Sequence, residues 1–84
     1  MLRHSRKGLN FQMDFMMELK RISDQVINIV CVTDDEKKLK NDQFMFLAAS
    51  VNTKEEFIGA IISYYESKKL YGIVMELEKI SASL

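Results

Sequence analysis

From Phe15 onward, apolar residues recur as Phe15, Leu19, Ile22, Val26 and Ile29, at steps of 4, 3, 4 and 3. The same beat returns near the other end as Leu70, Ile73, Leu77, Ile80 and Leu84. A helix of 3.6 residues per turn brings such positions onto one face, whereas a strand scatters them over both. The chain also has few places to turn. Proline is absent and its 84 residues hold three glycines, Gly8, Gly59 and Gly72. An all-β sandwich needs turn residues roughly every 8–12 positions, so that class is excluded.

The stripe beginning at Phe15, widened by Phe11, Met16, Ile27 and Val30, predicts a first helix over about 10–31. Continued further, it lands on Thr33, Glu36, Lys40 and Gln43, all polar. Thr33-Asp34-Asp35-Glu36 reads as a capping box, which starts a second helix over about 34–50. In that helix Leu39, Phe46 and Ala49 are expected on one face. Phe44, Leu47 and Ala48 make its second half apolar nearly all round. Thr53 and Glu56 repeat the cap for a third helix over about 54–67, with Glu66–Lys69 as the next turn. Gly59 falls inside this helix, where close approach of a neighbour's backbone would compensate its cost of about 1 kcal/mol relative to alanine. The fourth helix, about 69–83, carries the Leu70–Leu84 seam, expected to pack inside the bundle or to pair with a second copy.

The expected fold is all-α, a small antiparallel bundle of about four helices, because short links leave neighbours running in opposite directions. Residues 1–8 are expected to be a short basic tail and 9–84 a single helical domain. The alternative is α+β. Val26, Ile27, Ile29, Val30 and Val32 are β-branched, and 26–33 with 43–51 would make a β-hairpin. The caps and the lack of an Asn-Gly or Asp-Gly turn favour helices.

Charge excludes more than it selects. Lys plus Arg number 12 and Asp plus Glu number 12, so there is no net field to gather nucleic acid or an anionic membrane. No apolar run approaches the ~20 residues of a membrane span. A single cysteine closes no internal disulfide, and a cytoplasmic location is the expectation.

Catalysis needs a nucleophile beside a base, yet His4 is the only histidine and Cys31 lies in the apolar run Ile29–Val32. One His and one Cys do not make a metal site, and Asp34-Asp35-Glu36 is read as a helix start. No two glycines are close enough for a phosphate-binding loop. The chain is therefore expected not to be an enzyme and to need no cofactor or metal.

Two features point to protein partners. Phe11, Met13, Phe15, Met16 and Met17 crowd one short window, more soft apolar surface than one core face absorbs. Tyr64, Tyr65 and Tyr71 cluster around the third turn, and tyrosine suits interfaces because one end is apolar and the other polar. The expected contact surface is Phe11, Met13, Met16, Met17, Tyr64, Tyr65 and Tyr71. The expected function is that of a non-catalytic adaptor or regulator acting by helix-mediated contact with another protein or a second copy of itself.

Two alternatives stand beside it. Leu47–Ile58 is similar in spacing to a helix-turn-helix, although Glu55 and Glu56 would confront phosphates, so nucleic acid is the less favoured partner. An immunity or inhibitor protein that sequesters a toxin or enzyme differs from the first reading only in its partner. The stretch Phe57–Tyr65, then Leu70–Ile80, is similar in helical spacing to the last two helices of bacterial effector-associated, death-fold-like modules. The arginine and glycine typical between those helices are absent, so this similarity assigns no family.

Overall fold

The structure, a computed structural model, describes the backbone of residues 2–84 and the side chains of residues 14–84. It is a small all-α bundle of helices α1 (Leu2–Val30), α2 (Asp34–Ala48), α3 (Lys54–Ser67) and α4 (Tyr71–Ala82), with no strand among the described residues. The β-hairpin alternative is thereby corrected. Val26 to Val30 belong to α1 and Phe44 to Ala48 to α2. A β-branched residue loses only a few tenths of a kcal/mol in a helix, and burial of Val26 and Ile27 outweighs that. Helix α1 begins at Leu2 rather than near residue 10, so it takes in the segment expected as a basic tail. One glycine weakens a helix without ending it, and Gly8 has no proline beside it.

Local chemistry fixes the other ends. Thr33 is extended (φ −92°, ψ 157°) and caps α2: the Glu36 N–H donates to Thr33 Oγ1, and the Thr33 N–H donates to the Glu36 carboxylate, each at 3.2 Å. Hydrogen bonds donated by the Thr33 N–H and, at 3.0 Å, by the Thr33 hydroxyl hold the Glu36 carboxyl below its ordinary range. Thr53 caps α3 in the same way, accepting from the Glu56 N–H at 3.0 Å. The far end of α3 closes with a left-handed residue. Lys69 has φ 61°, its N–H reaches the Glu66 carbonyl, and the Leu70 N–H reaches back to the Tyr65 carbonyl at 3.1 Å. This is a Schellman closure with lysine where glycine is usual.

Helix α1 packs against all three others, and α3 and α4 form a second pair. The α1–α2 pair is antiparallel: the chain reverses at Cys31–Thr33, and Lys20, far back along α1, hydrogen-bonds Asn41 near the middle of α2 at 2.8 Å. Leu19, Ile22 and Val26 of the expected stripe are buried, but Ile29 drifts outward and Ile27 and Cys31 replace it. A 3.6-residue helix slips about 20° per heptad against a strict 3–4 repeat. The α4 seam packs inward from Ile73 on, with Leu77 buried and Ile73, Ile80 and Leu84 against the core; Val74 beside it is buried too, while Leu70, the N-cap of α4, is exposed.

The expected face of α2 is corrected. Phe44 and Ala48 point into the core, while Leu39 and Phe46 lie outside, Phe46 being 85% exposed. Hydrophobic residues nearly all round α2 left its orientation to the partner surface, and the Phe57 ring of α3 receives Phe44 edge-on at 6.5 Å. Among the described residues no neighbour approaches Gly59 either; a Cβ built there meets none of them within 4 Å.

Candidate functional site

Helices α2 and α3 both lean on α1, and the Phe44–Phe57 contact joins them. Beyond that contact they leave a groove of about 380 Å³. Its α2 wall is Lys40, Gln43, Phe44 and Leu47; its α3 wall is Ala60, Ile61 and Tyr64. Each set follows helical spacing, so each wall is one continuous stripe. Phe44 and Ile61 are buried and form the floor, whereas Gln43, Ala60 and Tyr64 are exposed at the edges. The groove stays open because Ala60 offers only a methyl group where a larger side chain would fill it.

Lys40 is the single charged residue in the lining. Its ammonium lies over three ring faces, 5.0 Å from the Tyr64 centroid, 5.8 Å from Tyr65 and 5.9 Å from Phe44. Such contacts attract the cation to the negative faces of the rings. Lys68 lies over the same Tyr64 ring at 5.5 Å. Lys40 takes part in none of the ion pairs among the described residues.

The titrating groups behind the groove are quiet ones. Burial, with Cys31 and Tyr64 adding to it, pushes the Tyr65 phenol up to about 12. Burial and the charge of Glu36 also raise the Cys31 thiol, which keeps it protonated at neutral pH. No group of three metal-ligating side chains occurs among the described residues. What the groove offers is apolar surface, one cation and exposed tyrosine.

The residues expected from sequence fall in several places. The side chains of Phe11 and Met13 lie outside the described residues. Met16 and Met17 are exposed on α1, and Met17 borders a shallow hollow with Asp14, Glu18 and Arg21. Tyr64 and Tyr65 meet edge-on at 5.0 Å, Tyr64 half-exposed on the groove and Tyr65 in the core at 5% exposure. Tyr71, exposed, opens α4 and is not part of the groove lining. Lys40, Gln43, Leu47 and Ala60 did not stand out in the sequence. The signal that marks them is the paired spacing Lys40–Gln43–Phe44–Leu47 and Phe57–Ala60–Ile61–Tyr64.

In the helix-turn-helix alternative, Lys54 would face a phosphate backbone; here it bonds Glu18 of α1 at 3.2 Å. Comparison with protein-family models, with characterised proteins and with solved structures found no match to this chain.

Proposed function

We propose that the chain is a non-catalytic interaction module, an adaptor or regulator that works by helix-mediated contact with another protein or with a second copy of itself. The observation that supports this reading is the α2–α3 groove, whose lining is apolar apart from Gln43, the Tyr64 hydroxyl and one aromatic-held cation. A helix edge with a large apolar anchor gains by burial there, and Tyr64 supplies a rigid aromatic contact at the rim. No helix among the described residues is long and apolar enough to cross a membrane. The proposal sets the protein in the cytoplasm, where the lone thiol of Cys31 stays reduced.

The test is affinity capture from native cells with the wild-type chain and with Ala60→Arg, which fills the groove from an exposed helix position. The reading expects a stoichiometric protein partner that survives nuclease treatment and is lost with Ala60→Arg, while circular dichroism stays helical. A partner retained by Ala60→Arg contradicts the groove as contact surface. Partners lost on nuclease treatment support the DNA-binding alternative instead.

A further inference from the structure

We propose that the occupant of the α2–α3 groove is the outer face of α4 from a second copy of this chain. The inference rests on the interaction reading above and gives it a partner.

Charge complementarity carries it. The groove lining contains a cation and no carboxylate, and Lys68 on the Tyr64 ring adds a second positive charge at that end. The outer face of α4 is its counterpart. Tyr71, Met75, Glu78 and Ala82 follow steps of 4, 3 and 4, so they form one stripe, and all four are exposed. Met75 is 62% exposed, a large apolar side chain with no cover of its own. Glu78 is the only charge in the stripe and joins none of the ion pairs among the described residues. Beside it, Glu76 and Lys79 neutralise each other at 2.8 Å. The groove is therefore apolar with positive charge at one end, from Lys40 and Lys68, and the α4 stripe is apolar with one negative charge, Glu78.

Length agrees. The 12 residues of α4 span about 18 Å, and the walls α2 and α3, of 15 and 14 residues, span about 21–22 Å. Another exposed apolar surface, around Met17, is less suited to Lys40. There Arg21 would set a like charge against Lys40, and Glu18, one of the two carboxylates of that hollow with Asp14, is already held by Lys54 at 3.2 Å and approached by Arg21 at 3.9 Å. Groove and α4 stripe are different surfaces, so a two-fold pair uses each of them twice.

Sedimentation equilibrium on the full chain tests this. Wild type is expected to associate below about 1 mM, the weak end of specific affinity. Lys40→Glu sets a carboxylate in the groove against the Glu78 carboxylate, and Glu78→Lys sets an ammonium on α4 against the Lys40 ammonium. Each variant alone is expected to lose association about tenfold or more, because like charges are brought face to face. Mixed together, the two variants restore it, since every contact then pairs opposite charges. Met75→Lys, at an exposed position outside the core, is expected to dissociate the pair with helicity unchanged and serves if Lys40→Glu unfolds. A wild type that stays monomeric overturns the inference. So does association that neither charge reversal nor Met75→Lys weakens. A monomeric wild type that still captures a foreign partner through the groove, lost with Ala60→Arg, sinks this inference alone and leaves the broader reading standing.

Discussion

Tyr65 and Lys40 occupy the same few ångströms and do different things there. Tyr65 is a core residue with a polar tip, and burial lifts its phenol from the ordinary 10.0 to about 12. A group whose folded pKa is raised contributes stability that is complete below its unfolded pKa and disappears as pH rises through the folded value. The window is therefore pH 10 to about 12. Urea unfolding at about pH 9, 10 and 11, on either side of the unfolded value, should show wild type losing stability faster than Tyr65→Phe above pH 10. Parallel curves would mean that the hydroxyl is not shielded as described. Lys40, by contrast, stays at the surface and is held by ring faces instead of a carboxylate, which leaves its charge available to a newcomer. Tyr65 was expected on the contact surface because tyrosine favours interfaces. The structure buries Tyr65 and leaves its neighbour Tyr64 exposed on the groove.

Helices α2 and α3 were legible because their starts are written in short-range chemistry, and α4, whose N-cap Leu70 makes no side-chain cap, was legible from its apolar seam. Thr33 with Glu36 and Thr53 with Glu56 form the expected caps, and bonds of 3.0–3.2 Å bear this out. The start of α1 was not legible, since Gly8 is a weak stop and nothing else marks an end. The face of α2 was not legible either. Leu39, Phe44, Met45, Phe46 and Leu47 ring the helix, and only the α1 and α3 surfaces decide which of them is covered. Two exposed positions still conflict with the local backbone. Gly59 lies in the middle of α3 with open space around its Cα, and Lys69 holds a left-handed φ of 61°. Gly59→Ala should stabilise by about 0.5–1 kcal/mol by restricting the unfolded chain and favouring helix. Lys69→Gly should help by a similar amount, roughly 0.5–1 kcal/mol, by relieving the left-handed side chain. Thermal melts should show each as a rise of about 4–8 °C per kcal/mol gained. A loss of stability in Gly59→Ala would mean that the open space beside α3 is occupied in solution.

At the scale of the molecule, one long helix organises three short ones, and the α2–α3 groove is a by-product of that arrangement. Leu19, Ile22 and Val26 on α1 and Leu77 on α4 could be picked out as core from their spacing. The groove could not, because it depends on how α2 and α3 splay over α1 and on Ala60 being too small to close the gap. Phe57 is the residue that most binds the two levels together. It is fully buried, it holds Phe44, and its own stripe continues into the groove wall. Phe57→Ala should cost about 3–5 kcal/mol, a large share of what an 84-residue domain has at roughly 0.05–0.15 kcal/mol per residue. Chemical unfolding would record this as partial or complete loss of the cooperative transition.

The most direct measurement is a dilution series of amide NMR spectra on the assigned wild-type protein. If a helix edge fills the groove, shifts that change with concentration gather at 40–47 and 60–64 and along Tyr71, Met75, Glu78 and Ala82. Spectra that do not change with concentration, or changes gathered instead on the Asp14–Arg21 face of α1, would contradict the docking of α4 in the groove.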